Sequence, residues 1–364
     1  MTLRTIEKFE VKYLQALDEH GNVDRKLMPK LSGKDIKRLY ELLVLTRTFD
    51  DKCMKMQRQG RIGTYISSLG QEAATVASAF ALNKKDWIFS SFREHGAYIT
   101  MGYPIERYLL YWGWNEYGSH APAGMNVLPV TIPVSTQLPH AAGAAFAAKL
   151  KKDRTVVVAY HGDGATSKGD WHEAMNFAGR FKLPLVVICQ NNQWAISVPV
   201  KDQTASATLA QKAIAYGFEG IKIDGNDVFA VYKATKEAVD RARKGKGPTF
   251  IECETYRIAD HSTSDDAAKY RSLKEVDSWK RKDPIQRLWT YMRKKKLWNK
   301  KYGEKVIADA AAKVESAVKK FEATKPQTVD EAFAFTYAEP TLALKEQLAD
   351  AKSYLEWRKK NAKD

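Results

Sequence analysis

The chain has 364 residues, 44% apolar and 28% charged, which excludes a small stapled scaffold and a wholly disordered polymer. Its net charge of +16 raises nucleic-acid or anionic-membrane binding, but the basic residues are spread along helix-forming sequence. Even the clusters at Arg293–Lys296 and Trp357–Lys360 read as solvated helix faces.

Cys53, Cys189 and Cys253 form no close pair, and their odd number argues against a disulfide framework. The N-terminus does not resemble a signal peptide, and no apolar run approaches the ~20 residues of a membrane helix. The expectation is a soluble, cytoplasmic protein.

In chain order, residues 1–33 read as an extension with a turn at Asp18–Asn22. A helix follows Ser32, with Ile36, Leu39, Leu43 and Met54 at helical spacing, and stops at Gly60. A second helix is expected over Gln71–Leu82 and a strand over Asp86–Phe89; Ala141–Leu150 reads as a buried, small-residue helix. Arg154–Tyr160 is a β-branched run suited to a central strand. A helix near Asp170–Phe181 and a strand from Leu185 come next. Then follow a helix at Leu209–Tyr216, a strand near Ile221–Ile223, a helix at Val228–Lys244 and a strand from Pro248. This alternation predicts an α/β fold whose mostly parallel sheet is flanked by helices. The expected division is an extension over 1–33, an α/β domain over 34–271 and a helical C-terminal appendage over 272–364.

The chemistry concentrates in two loops. Gly162-Asp163-Gly164 follows one expected strand and Asn191-Asn192 the next, with a helix between. A right-handed crossover puts both loops on the rim where parallel sheets bind ligands. Asp163 offers a hard anionic oxygen, Asn192 an amide oxygen, and a carbonyl near Trp194 a third; together they suit Mg²⁺ bound with a diphosphate. Backbone N–H groups at Gly164 and Ala165 favour the phosphates. A turn-capping Asp or an Asn pair in a turn is common singly; the two at this spacing are not. A dinucleotide fingerprint fails, because its third glycine would fall on Ser167.

These loops resemble the thiamine diphosphate motif, and Ser32 to Leu288 resembles the α subunit of the two-subunit first component of 2-oxo acid dehydrogenases. The supporting segments are RQGRIG (Arg58–Gly63), GQEAA (Gly70–Ala74), FREHG (Phe92–Gly96), STQLPHAAG (Ser135–Gly143), DGNDVFAVY (Asp224–Tyr232), TYRIADHSTSDD (Thr255–Asp266) and KDPIQRL (Lys282–Leu288).

The resemblance implies a thiamine diphosphate-binding fold, with Mg²⁺ held by Asp163, Asn192 and the main-chain carbonyl of Trp194. Gly162, Gly164, Ala165, Phe92 and Arg93 would border the diphosphate, and Val134 the aminopyrimidine ring. Gln190 replaces an Arg found in branched-chain relatives. Arg257 and His261 would approach the phosphates, with His261 aiding acyl transfer to a lipoyl group. Thr131, Thr136 and Gln137 resemble a K⁺ cluster, and Ser262 and Ser264 match loop positions phosphorylated in mitochondrial relatives. His95 is a further candidate polar group of the site; His161 reads as structural.

The implied activity is oxidative decarboxylation of a small 2-oxo acid within a heterotetramer of two α and two β subunits, serving a lipoyl acyltransferase core. Among substrates the segments favour pyruvate, with branched-chain 2-oxo acid and acetoin dehydrogenases as alternatives. A non-catalytic basic module binding nucleic acid is the alternative of another class.

Overall fold

The structure is a computed structural model describing residues 2–361. Six parallel strands form one sheet in the order β1 (Lys12–Leu14), β7 (Glu219–Asp224), β8 (Thr249–Glu254), β4 (Leu185–Asn191), β3 (Val157–Gly162) and β2 (Trp87–Phe89). A short antiparallel hairpin, β5 (Trp194–Ala195) and β6 (Val198–Pro199), leaves the end of β4.

The helices are α1 (Gly33–Arg58), α2 (Glu72–Phe80), α3 (His95–Met101), α4 (Ile105–Trp112), α5 (Gln137–Leu150), α6 (Gly169–Arg180), α7 (Val200–Gln203) and α8 (Val228–Arg243). After β8 come α9 (Leu273–Lys280), α10 (Pro284–Lys294), α11 (Lys300–Ala323), α12 (Val329–Phe333) and α13 (Leu342–Asn361). No helix among the described residues is long and apolar enough to cross a membrane.

The period-two alternation of strand side chains divides the core. Val158, Tyr160, Val186, Ile188 and Ile251 face α1, α2 and α8, whereas Val157, Ala159, Leu185, Val187 and Phe250 face α5 and α6. Both faces of β3 and β4 are thus covered, and their rim loops are held by rigid, buried strands. The expected Ser32 start is a capping box, in which Ser32 Oγ accepts from Asp35 N–H and the Asp35 carboxylate accepts from Ser32 N–H.

Two expectations change. The small-residue helix α5 is longer than expected and buried on one side only, through Ala141, Ala145 and Ala148; Gly143, Ala147 and Leu150 are exposed. Ala and Gly allow close approach of any neighbour, so composition alone does not show which face the fold covers. The N-terminal extension also supplies the edge strand β1, anchored where Asp227 accepts from Ala16 and Leu17 N–H and Arg287 donates to the Leu17 carbonyl.

Candidate active site

Beyond the carboxyl ends of β3 and β4 lies a cavity of about 560 Å³. Its lining includes Asp163, Asn192 and Trp194 on one side and Phe92, Arg93 and His261 on another. The register that pairs Gly162 with Gln190 brings the two motif loops level, as the crossover argument required. Gly162, Gly164, Ala165 and Val134 also border the cavity. Gly162 faces open space, whereas a Cβ on Gly164 would meet the Ala195 Cβ at 2.7 Å, so glycine there lets the Asp163 turn pack against the hairpin.

Asp163 is 1% exposed, and burial raises its carboxyl pKa above the usual range. Gln203, at the end of α7, donates to its Oδ2 at 2.7 Å. Asn192 donates to Gln71 Oε1 at 3.3 Å and accepts from Trp194 N–H at 3.4 Å. Left-handed backbone at Gln193 and Ile196, costly for a β-branched residue, turns the chain on either side of Trp194 and Ala195. Among the described residues no group of three His, Cys, Asp or Glu side chains could hold a metal ion. The donor set here is instead a carboxylate, an amide oxygen and a carbonyl, hard ligands of the kind Mg²⁺ takes when phosphates and water complete its shell.

Arg257 does not line the cavity. It lies wholly buried behind Trp194, donating to the carbonyls of Trp194 at 3.1 Å and Ile196 at 2.7 Å and to Tyr270 Oη. Arg93, 4% exposed, donates to the Ser67 and His261 carbonyls. Among the described residues neither guanidinium has a carboxylate within ion-pairing distance. Burial, then the charge of Arg257, pulls the Arg93 pKa down to about 9. Arg93, a buried cation on the cavity wall without a carboxylate at ion-pairing distance, fits an anionic ligand.

His261 Nδ1 accepts from Arg93 at 3.3 Å and from Arg257 at 3.4 Å. Burial first, then those two charges, pulls its pKa down to about 4, so the ring is neutral with its proton on Nε2. Phe92 stands edge-on to it. His161 is structural, as expected: Nδ1 donates to the Gly162 carbonyl and Nε2 accepts from the Trp171 indole.

His95 is not a site residue. It is fully buried among Phe49, Tyr65, Tyr108 and Trp112, donating to the Ile66 carbonyl and accepting from Tyr108. It is near Arg93 in sequence, but it opens α3 and turns into the core.

Sequence reasoning passed over Gln203, Ser135, which donates to the Ala165 carbonyl, and Glu94. Glu94 lies inside the FREHG segment; it is 1% exposed on the cavity wall, and burial pushes its carboxyl up to about 7. Gln203 carries no motif signal.

Residues 40–330 match the family model described as dehydrogenase E1 component. The chain is 43% identical over 342 residues to a pyruvate dehydrogenase E1 component subunit alpha of Acholeplasma laidlawii, covering 93% of this chain and 99% of that one. It is 44% identical over 331 residues to a 3-methyl-2-oxobutanoate dehydrogenase subunit alpha of Mycobacterium tuberculosis, covering 91% and 90%. A pyruvate dehydrogenase E1 component subunit alpha of Staphylococcus aureus is 41% identical over 345 residues, covering 94% and 93%. These matches show that the chain belongs to the dehydrogenase E1 component family, as a 2-oxo acid dehydrogenase component of the α-subunit type.

Proposed function

We propose that this chain is the α subunit of a pyruvate dehydrogenase-type first component, binding the diphosphate of thiamine diphosphate through Mg²⁺. The observation that carries this reading is the convergence of Asp163, Asn192 and Trp194 with buried, unpaired Arg93 on one cavity. Asp163, Asn192 and the Trp194 carbonyl would hold the ion. Gly162, Gly164, Ala165, Phe92 and Arg93 would border the diphosphate, and Val134 the pyrimidine. Arg257 would act from behind, fixing the Trp194 carbonyl and orienting His261. The unpartnered Oε1 of buried Gln137 supports K⁺ beside Thr131 and Thr136. The cofactor-binding unit we assign is 34–271, with 1–33 as an extension and 272–364 as a helical appendage.

When bound, thiamine diphosphate supplies the electron sink for loss of CO₂ from a 2-oxo acid. His261, neutral and protonated on Nε2, enters the site as a hydrogen-bond donor and is suited to assist acyl transfer to a lipoyl group.

The mouth of the cavity supports a partner. Ile132, Val134 and Ile196 on its lining are 48%, 44% and 54% exposed, an apolar rim that a β subunit would cover in a heterotetramer of two α and two β chains. A lipoyl acyltransferase core would receive the product. A cytoplasmic location accords with three buried, unpaired thiols. Ser262 and Ser264 lie on the loop that carries His261, the position a phosphorylation switch would need.

The Mycobacterium tuberculosis relative favours a second reading, a branched-chain substrate, since its identity to this chain equals that of the pyruvate-named relatives within a few points. The test is turnover with ferricyanide as acceptor, by the chain co-expressed with a β subunit, with pyruvate and 2-oxoisovalerate side by side. Faster pyruvate turnover, lost together with cofactor binding in Asp163→Ala, supports the proposal. Preference for the branched acid replaces it with the second reading. Decarboxylation by the α chain alone would overturn the assignment of a β subunit to the mouth of the working site.

A further inference from the structure

The turn that carries Asp163 is held from behind. Of residues 162–168 only Thr166 does not line the cavity, and it is 1% exposed. Its Oγ1 donates to the Asp163 carbonyl at 2.9 Å and accepts from Lys212 Nζ at 2.9 Å, while its own carbonyl accepts from the same ammonium at 3.1 Å. Lys212 is half-buried, does not line the cavity and enters no salt bridge among the described residues. Its charge is engaged on one residue of the turn. Charge-assisted hydrogen bonds are the stronger kind, and a hydroxyl that donates and accepts in one chain is polarised by both partners.

Lys212 belongs to a 3₁₀ segment, Ala210–Tyr216, whose start also reaches the second motif loop. The Ala210 N–H donates to Glu252 Oε2 at 2.8 Å, and Glu252 Oε1 accepts from the Asn191 side chain at 2.7 Å. Thr208 N–H donates to Gln211 Oε1 and Gln211 N–H to Thr208 Oγ1, both at 3.1 Å, and Leu209 and Ala210 between them are buried. The segment is therefore locked in place and tied to both loops at once, to Asp163 through Thr166 and to Asn192 through its neighbour Asn191.

We propose that Lys212 is a positioning residue that, with Glu252, sets the spacing between Asp163 and Asn192 and thereby selects Mg²⁺ over larger divalent cations. The inference rests on the metal assignment above. Mg²⁺ holds oxygens at about 2.0–2.1 Å in a near-octahedral shell and tolerates little error, whereas Ca²⁺ takes them at about 2.3–2.6 Å in adaptable geometry. A brace behind both ligand loops meets the stricter demand. Without it, loops that drift apart by roughly a few tenths of an ångström lose the small ion and still suit the larger one. The Lys212 side chain acts only through Thr166, the residue between it and the turn.

The test is calorimetric titration of thiamine diphosphate into the chain assembled with its β subunit, in one series with Mg²⁺ and in a second with Ca²⁺. Lys212→Met keeps an unbranched side chain and removes the ammonium; Thr166→Val keeps the shape and removes the hydroxyl. Each is expected to weaken Mg²⁺-supported binding by about tenfold or more, as lost support of a metal ligand typically does, and Ca²⁺-supported binding by clearly less. The double variant should be little worse than Lys212→Met, because both changes cut one tether. Unchanged affinity overturns the proposal, as do equal losses with the two ions or losses that add in the double variant. A general loosening of the fold lowers both affinities together and so does not imitate the expected result. If Lys212→Met fails to assemble, the isosteric Thr166→Val decides by the same comparison of ions. If wild type shows no metal-dependent binding, the metal assignment fails, and this inference with it.

Discussion

Gln203 donates its side-chain amide to Oδ2 of Asp163 at 2.7 Å, and the same nitrogen reaches the Val198 carbonyl at 3.0 Å. The carboxylate assigned to the metal is thus oriented by a residue from a separate four-residue helix, tied back to the hairpin that carries Trp194. Such support of a ligand typically contributes 10–100-fold to affinity, so Gln203→Leu is expected to weaken Mg²⁺-dependent thiamine diphosphate binding by about tenfold or more. Calorimetry on the assembled protein checks this, and unchanged affinity would reduce Gln203 to a packing residue.

The two glycines of the Gly-Asp-Gly motif should separate in mutagenesis. Gly162→Ala meets nothing within 4 Å, so the melting temperature should stay near wild type while the added methyl intrudes on the ligand space. Gly164→Ala must push Ala195 aside and should lower the melting temperature as well as ligand affinity. Equal thermal shifts in the two variants would contradict this packing account.

Arg257 is a keystone for two carbonyls. Replacing it with Met keeps much of the volume but leaves the Trp194 and Ile196 carbonyls without their charged donor, at a cost of about 2–4 kcal/mol. Chemical denaturation measures that cost. Because the Trp194 carbonyl is one of the assigned metal ligands, Mg²⁺ dependence of cofactor binding should also change in Arg257→Met.

His261 makes stability depend on pH in a stated direction. Its folded pKa, about 4, lies below the ordinary value of 6.5, so folding favours the neutral ring. The contribution is fully present above pH 6.5 and is lost as pH falls through 4. Over that window wild type should lose melting temperature more steeply than His261→Gln, as thermal scans at several pH values would show. Parallel curves would mean the ring does not resist protonation.

Part of this site was readable in advance because its residues follow strands. Asp163 and Asn192 sit where β3 and β4 end, and strand periodicity with a right-handed crossover is enough to bring them together. Gln203 was not readable: it reaches Asp163 only because left-handed turns at Gln193 and Ile196 fold the hairpin back, and nothing in the local sequence announces that. His95 was misplaced for a related reason. Proximity to Arg93 along the chain says nothing about which side of α3 it occupies, and the aromatic cluster that claims it comes from α1, α4 and the Tyr65 loop. The exposed face of α5 has the same origin, since Ala and Gly do not distinguish a covered face from an exposed one.

The pairing of β1 with β7 sets an order of events during synthesis. Lys12 registers with Ile221, and Leu17 is secured by Arg287, a partner 270 residues downstream. At ribosomal elongation rates of about 5–20 residues per second, the first strand waits on the order of tens of seconds before its anchor has even been made. Throughout that interval Leu14, Ala16 and Leu17, which the finished fold buries, have no docking place in their own domain. The earliest-made strand is therefore among the last to be seated, and a co-translational chaperone would find its substrate at this end of the chain.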